Sequence, residues 1–215
     1  MKYKKLVIFI PSIEGGGVEK NLFLISNYFS KKIENLTIIT TSIKYKKKFS
    51  KKIKYISLKG NLWENFGRIV KCFICLFLLL KQILKEKNVV VFAFQANLYC
   101  IILCKLLSIK VIIRSNSSPS GWSKSILKTF LYKIILSKAD KIVVNSKEFQ
   151  KELKIKFNVR SECIYNPLNK TEIIKLSMKK KLLPFFNTKK LKILNIGRLV
   201  DQKDQITLLR ALNIL

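Results

Sequence analysis

Residues 6–21 read LVIFIPSIEGGGVEKN, and this segment indicates the fold class. Five consecutive apolar residues, Leu6–Ile10, are typical of a strand that is buried on both faces of a parallel sheet. A proline ends the run, and Gly15, Gly16 and Gly17 then precede residues with helical spacing. A strand, a glycine loop and a helix in this order predict the first β–α unit of an α/β fold.

The same alternation of apolar runs and amphipathic stretches continues along the chain. It favours a parallel sheet with helices on both faces. In such sheets, ligands bind beyond the carboxyl ends of the strands. Three loops follow the ends of predicted strands here: Pro11–Gly17, Ser115–Ser123 and Asn145–Lys147. The predicted strands are Leu6–Ile10, Leu36–Thr40, Ile53–Leu58, Val89–Phe94, Val111–Arg114, Lys141–Asn145, Cys163–Tyr165 and Leu191–Ile196, and the longer predicted helices are Asn65–Lys87, Leu98–Leu107, Ile126–Leu136 and Glu148–Phe157.

The charge of the chain is strongly positive, with 43 Lys and Arg against 12 Asp and Glu and a formal net charge of +31. Such an excess indicates an anionic partner, which can be nucleic acid, an acidic membrane surface or a phosphorylated substrate. AT-rich codons also produce a composition rich in Lys, Ile, Asn and Phe, so genome composition is an alternative source of the charge. No zinc-finger or RNA-recognition signature occurs, and the aromatic residues follow core periodicity, so we predict no nucleic-acid partner.

The five cysteines are Cys72, Cys75, Cys100, Cys104 and Cys163. The first four form a C-x-x-C pair and a C-x-x-x-C pair, which are spacings that zinc ligands can have. Each pair lies within a long aliphatic run that contains no polar knuckle. We therefore predict free thiols buried on helices and no metal site.

The most apolar window, Cys72–Leu80, is too short to span a bilayer, which needs about 20 apolar residues. A buried helix is the prediction there, and an amphipathic helix on a membrane surface is the alternative. At the amino terminus, the apolar run after the basic residues is too short for a signal peptide. The lack of a signal peptide and the odd number of cysteines predict a cytoplasmic protein. The basic surface predicts peripheral contact with the inner, anionic face of the membrane.

Residues 177–190 interrupt the alternation, because they are rich in lysine and have little periodicity. We predict an interdomain linker there, between a first domain at residues 1–176 and the start of a second domain at residues 191–215. In this second part, Leu191–Ile196 is the predicted strand and Asp204 the predicted cap of a last helix. A strand and one helix cannot bury a core by themselves, so we expect a truncated second domain.

Two groups of residues have the chemistry to bind an anion. The glycine loop lets the backbone approach a ligand, and the next helix directs its free N–H groups and positive dipole end at the same place. The sequence Gly197-Arg198-Leu199, with Lys203, can direct two cations at one diphosphate. A flexible turn and a solvated basic turn are the respective alternatives. Neither group is a dinucleotide fingerprint or a P-loop.

Five motifs follow one another along the chain: the glycine loop Phe9–Asn21, the middle loop Arg114–Pro119, the strand Ala139–Ser146, the turn Tyr165–Leu168 and the second-domain entry Ile193–Asp204. In this order they resemble the motifs of family 4 glycosyltransferases, and the resemblance covers essentially the whole chain. It implies the GT-B fold, in which two Rossmann-like domains face each other across a cleft. The first domain binds mainly the acceptor, and the second binds the nucleotide-sugar donor.

The resemblance also implies roles for single residues. Cleavage of the sugar–phosphate bond builds negative charge on the leaving oxygens, and fixed cations stabilise that charge. No metal and no cofactor are implied, since the nucleotide-sugar is a co-substrate. The implied residues are Gly16, Gly17, Arg198 and Lys203 for the donor phosphates, and Gly15, Glu19, Arg114 and Asn116 on the acceptor side.

Two departures from the family pattern bear on activity. The chain contains no histidine, and Asn116 stands where many relatives have one, although an amide cannot exchange protons near neutral pH. The paired glutamates of the second domain would fall after Leu215. We therefore expect a glycosyltransferase for a surface polysaccharide, lipopolysaccharide or lipid-linked glycan. We assign no catalytic residue and expect the chain to be inactive alone. It would be either a truncated product or one half of an enzyme that another chain completes. The alternative is a non-catalytic module that holds a lipid-linked acceptor at the membrane.

Overall fold

The structure is a computed structural model that divides into two compact units, Met1–Asn169 and Lys170–Leu215. Each unit is described separately. The described residues are 5–58, 60, 62–122, 125–179, 189, 191–197 and 199–214.

In the described part of the first unit, seven strands alternate with helices along the chain. The exception is the connection between the second and third strands, which contains only a short 3₁₀ turn at Lys46–Lys48. The strands are β1 (Lys5–Phe9), β2 (Asn35–Ile39), β3 (Lys54–Ile56), β4 (Val90–Ala93), β5 (Lys110–Ser115), β6 (Lys141–Val144) and β7 (Glu162–Cys163), and the helices are α1 (Gly17–Phe29), α2 (Arg68–Lys85), α3 (Asn97–Leu106), α4 (Ile126–Leu136) and α5 (Lys147–Phe157).

The strands form one parallel sheet in the order β3-β2-β1-β4-β5-β6-β7. The chain runs outward from β1 to β3 and then continues in the opposite direction from β4, so the order reverses between β1 and β4. Open α/β sheets bind ligands at this switch point. The predicted fold class, a Rossmann-like parallel sheet with helices on both faces, is confirmed.

Alternate side chains of each central strand pack into two cores, one on each face of the sheet. In β1, Val7 and Phe9 belong to the core beneath α2–α5, whereas Ile8 faces the core beneath α1. Helix α2 contributes Cys75, Leu79 and Ile83, which lie on one stripe because they are spaced by four residues. Burial of these apolar side chains stabilises the sheet by roughly 1.5–3 kcal/mol for each large residue.

The cysteines are free, as predicted: the four on α2 and α3 are buried, and Cys163 is half-buried. Among the described residues, no group of three or more His, Cys, Asp or Glu side chains is arranged to hold a metal ion. None of the described helices is both long enough and apolar enough to cross a membrane.

The second unit contains two helices in its described part, α6 (Lys170–Ser177) and α7 (Gln205–Leu212). Asp204 caps α7, as predicted, because its carboxylate accepts a hydrogen bond from the Thr207 N–H at 3.4 Å. The strand predicted at Leu191–Ile196 is wrong. The described residues of this unit include no strand. Among them, Leu191–Ile196 therefore has no neighbouring strand with which to form hydrogen bonds. The predicted linker falls largely outside the described residues.

Asp140, at the turn before β6, connects α3 to β5. Its carboxylate accepts hydrogen bonds from the Val111 N–H at 2.8 Å and from the Lys105 ammonium. Burial by itself would raise the pKa of Asp140, but the hydrogen bonds from Lys105 and Val111 outweigh burial and hold the pKa below its usual value. The charged form of Asp140 therefore stabilises the fold.

We expect the stability that Asp140 contributes to be lost in acid. Because its folded pKa is depressed, the contribution is fully present above the unfolded pKa of about 3.9 and disappears as the pH falls through the folded pKa. Urea unfolding across the range from about pH 6 to about pH 3 should show a shallower loss of stability for Asp140→Asn than for the wild type. Glu34→Gln, which changes an exposed carboxylate, is the control and should keep the wild-type slope. Identical slopes for the wild type and Asp140→Asn would contradict this assignment.

Candidate functional site

Two cavities lie at the carboxyl edge of the sheet, where the strand order reverses. Both are lined by Gln95 and Ala96, which follow β4. The larger cavity, of about 470 Å³, is called the Arg114 cavity; its lining also includes Val18, Asn116 and Trp122. The smaller cavity, of about 400 Å³, lies beside Glu14 and Arg68. Cavities of this size at a switch point are typical of small-molecule sites.

The glycine loop reaches this edge from β1. Gly16 precedes the first turn of α1 in an extended conformation, and Gly17 is the first helical residue. Gly15 has φ +87°, a conformation that favours glycine, and an added Cβ would lie 3.0 Å from the Tyr45 hydroxyl oxygen. An added Cβ at Gly17 would meet nothing within 4 Å. The fold therefore requires glycine at position 15, whereas the space beside Gly17 is open to a ligand.

We expect Gly15→Ala to lower the free energy of unfolding by about 1–2 kcal/mol, because alanine disfavours the left-handed conformation. Gly17→Ala is the matched control, and it should leave stability unchanged or raise it by up to about 1 kcal/mol, since alanine favours a helix. Urea unfolding of both variants measures the difference. Equal stabilities would show that the loop adopts another conformation at Gly15.

Glu19 lies in the first turn of α1 and is only 6% exposed. Its Oε1 accepts a hydrogen bond from the Glu14 N–H at 3.4 Å, and its Oε2 would lie 3.0 Å from a Cβ added at Gly16. A carboxylate at a helix amino terminus interacts favourably with the helix dipole. It also offsets part of the positive potential that would attract a phosphate to this helix end, so a diphosphate here needs additional cations.

Arg114, near the end of β5, is buried and only 2% exposed. Its Nε donates to Asn116 Oδ1 at 3.2 Å, and its Nη2 donates to the Ile164 carbonyl at 3.2 Å and to Asn166 Oδ1 at 2.9 Å. Burial lowers the pKa of the guanidinium, but arginine still carries its charge at neutral pH. These bonds join β5 to the turn after β7.

The middle loop after β5 is held by side-chain hydrogen bonds. The Trp122 Nε1–H donates to Ser117 Oγ at 3.0 Å, and the Ser118 hydroxyl donates to Glu152 at 2.6 Å. The Trp122 ring also stacks on Phe157, with 5.8 Å between the ring centroids. The loop therefore holds an aromatic wall at a defined place in the Arg114 cavity.

The residues implied on the acceptor side reach the same edge of the sheet. Arg114 and Asn116 line the Arg114 cavity, and Val18 of α1 lines it as well. Gly15 and Glu19 lie on either side of Val18 in the sequence but are not among the lining residues. Lys203 is exposed on the 3₁₀ turn Asp201–Lys203 of the second unit, and Arg198 lies outside the described residues. The joint grip of the glycine loop and these two cations on a diphosphate stays a prediction.

Gln95 and Asn166 are site residues that were not predicted. Gln95 Oε1 accepts from the N–H of Ser12 at 3.3 Å and from its hydroxyl at 3.4 Å, which joins the loops after β1 and β4. Gln95 could have been predicted as a site residue, because it is a polar residue directly after a buried strand. Asn166 lies in a recognised motif, but nothing local indicates that it contacts Arg114.

Comparisons with known proteins show the fold. No family model matches the chain, and no curated protein matches it. Anabaena HepE in complex with UDP and glucose is 14% identical, with a TM-score of 0.55, and the match covers 82% of this chain and 50% of HepE. Phytolacca americana UGT2, in complex with UDP-2-fluoro-glucose and pterostilbene, is 12% identical, with a TM-score of 0.51 and coverage of 83% and 58%.

The chain thus spans about half the length of these solved structures. HepE has also been solved with UDP-glucose, and that structure matches with a TM-score of 0.53 at 14% identity over 81% of this chain and 49% of HepE. At such identities the similarity shows the fold alone. The first unit has the Rossmann-like fold found in GT-B glycosyltransferase structures.

Proposed function

We propose that the chain is the acceptor-side part of a family 4 glycosyltransferase. It would take part in the transfer of a sugar from a nucleotide-sugar donor to a glycan or lipid-linked acceptor. The observation that carries this proposal is the Arg114 cavity, which lies at the switch point of a sheet shared with glycosyltransferase structures that hold UDP. The first unit would bind the acceptor there, and the second unit would belong to the donor side.

The cavity suits binding and orientation more than proton transfer. Among its described lining residues, none is Asp, Glu or His, so no side chain there can act as a base near neutral pH. Asn116 can orient an acceptor hydroxyl through its amide. Rate acceleration would then come from alignment of the acceptor and from charge stabilisation on the leaving diphosphate. We expect no turnover of UDP-glucose by residues 1–215 alone.

On the donor side, Gly16 and Gly17 would contact the diphosphate while Arg198 and Lys203 neutralise it. The buried Glu19 carboxylate beside Gly16 supports a need for these cations, because it repels an approaching anion. A nucleoside diphosphate should therefore bind mainly through the cationic residues and less through the helix end.

Equilibrium binding of UDP, with GDP in parallel, tests the proposed function. Calorimetry on the full chain should detect binding of at least one nucleotide, and Lys203→Gln should weaken it about tenfold through loss of a charge-assisted hydrogen bond. Lys175→Gln changes the same charge on an exposed helix of the second unit and should leave affinity unchanged. Absence of binding, or equal effects of the two variants, would refute the donor assignment.

A second candidate function, a module that docks on an anionic membrane, is favoured by the surface of α4. Lysines 128, 133 and 138 are exposed on or next to this helix. Exposed apolar side chains flanked by lysines are typical of helices that lie in a membrane interface. The exposed apolar residues of α4 are Ile126, Leu127, Phe130, Leu131 and Ile134.

Co-sedimentation with phosphatidylcholine vesicles, with and without phosphatidylglycerol, tests this second candidate. Phe130→Glu should reduce binding to the anionic vesicles roughly tenfold. Tyr28→Glu places the same charge at an exposed aromatic position of α1, on the other face of the sheet, and should change binding much less. Equal losses for both variants would indicate non-specific attraction by the basic chain. Vesicle binding without any nucleotide binding would favour the non-catalytic module.

A further inference from the structure

The Arg114 cavity contains a buried positive charge that no acidic side chain balances. Arg114 is 2% exposed, and its hydrogen-bond acceptors are an amide oxygen of Asn116, another of Asn166 and the Ile164 carbonyl, all of them neutral. Within the described residues, no carboxylate forms an ion pair with it, and it is the one charged side chain of the cavity lining. A buried charge without a partner is costly, so such a site favours a ligand that supplies the opposite charge.

We propose that the Arg114 cavity binds an oxyanion, a carboxylate or phosphoryl group, carried on a sugar of the acceptor. This inference rests on the proposed function, because that function makes the cavity the acceptor site. It adds the chemical class of the acceptor, which is an acidic or phosphorylated sugar and not a neutral one.

The donors for such a group are present in the lining. Arg114 Nη1 donates to no acceptor within the described residues, and two N–H groups of the guanidinium therefore remain for a ligand. The Oδ1 of Asn116 accepts from Arg114, so its amide NH₂ is left as a donor. Ser117 Oγ accepts from Trp122 and keeps its own hydrogen to donate. Charged and neutral donors of this kind are the usual ligands of an oxyanion.

The rest of the lining suits the ring that carries the anion. Trp122 and Tyr132 present aromatic surface to the cavity, and Val18 and Leu136 add aliphatic surface. Trp122 is fixed by its stacking on Phe157 and by its hydrogen bond to Ser117. A flat apolar wall next to a buried cation favours a ligand with a ring and an attached anionic group over a free inorganic ion.

Fluorescence of Trp122 can test the proposal without any nucleotide. The chain has two tryptophans, so Trp63→Phe leaves Trp122 as the reporter. Glucose, glucuronate and glucose 6-phosphate share a ring and differ in the oxyanion, and each is titrated at the same ionic strength. We expect at least one of the two anionic sugars to bind about tenfold or more tightly than glucose. The tighter of the two identifies carboxylate or phosphoryl as the preferred group, and equal affinities of all three overturn the proposal.

Two variants in the Trp63→Phe background locate the anion. Asn116→Asp keeps an acceptor for the Arg114 Nε–H but adds a negative charge beside the guanidinium, and it should abolish the preference for anionic sugars while the chain stays folded. Lys154→Gln removes an exposed lysine of α5 and should retain the preference. A preference that survives Asn116→Asp, or that Lys154→Gln removes, overturns the assignment to Arg114. Failure of UDP to bind would refute the donor assignment without affecting this result.

Discussion

Replacing Arg114 with alanine is expected to lower the free energy of unfolding by about 3 kcal/mol. The guanidinium makes three hydrogen bonds from a buried position, and two of them fasten the turn after β7 to the end of β5. Truncation would remove all three hydrogen bonds and leave a cavity at the buried position of Arg114, whereas the exposed Asn166 and Ile164 can then bond to water. Urea unfolding monitored by circular dichroism measures the loss.

Arg160→Ala is the matched control for this prediction, because Arg160 is exposed and lies next to β7. Its removal should change the free energy of unfolding by no more than about 0.5 kcal/mol. Asn116→Asp should instead stabilise the fold by about 1 kcal/mol, since the hydrogen bond from Arg114 Nε would then join two opposite charges. A small effect of Arg114→Ala would mean that the turn after β7 is held by other contacts.

Thiol-reactive dyes are expected to modify the half-buried Cys163 at least about a hundredfold faster than the four buried cysteines. Burial, with a smaller contribution from the neighbouring Cys72, raises the pKa of the Cys75 thiol to about 12, against an ordinary value of 9.0. At about pH 8, the reactive thiolate of Cys75 is then roughly one molecule in ten thousand. The hydrogen bond with Cys104 and burial also raise the pKa of Cys100.

Labelling in native buffer should therefore modify Cys163 quickly and the remaining thiols very slowly, while labelling in denaturant should modify all five cysteines at similar rates. Cys163→Ser should remove the fast phase from the native protein. A second fast thiol in that variant would show that the contact between α2 and α3 opens readily in solution.

Much of the fold of the first unit could be predicted because its signals are local. The apolar run at Leu6–Ile10 corresponds to β1, and the helix predicted at Ile126–Leu136 is α4 with the same bounds. Ser146 directly precedes α5, where serine is a favoured cap, and its hydroxyl oxygen accepts from the Phe149 N–H at 3.2 Å. The segment Leu191–Ile196 is also mostly apolar, yet a strand needs a neighbouring strand as well, which composition does not reveal.

The candidate site could be predicted only in part, for a related reason. Motifs placed Arg114 and Asn116 in one loop, and the periodicity placed that loop at the carboxyl edge of the sheet. The pairing of Arg114 with Asn166 joins segments that are far apart in the chain, and no local pattern encodes it. The absence of a carboxylate around Arg114, a finding confined to the described residues, likewise depends on three-dimensional packing.

The pairing of β1 with β4 has a consequence for synthesis on the ribosome. Leu6 pairs with Val90 at the centre of the sheet, so one edge of the first strand has no partner until the segment around Val90 has been made. During that interval β1 can pair only with β2, and its remaining apolar edge is open to other chains. Correct maturation of the nascent protein should thus depend on how quickly the ribosome delivers the segment around Val90, or on a chaperone that shields Leu6–Ile10 in the meantime.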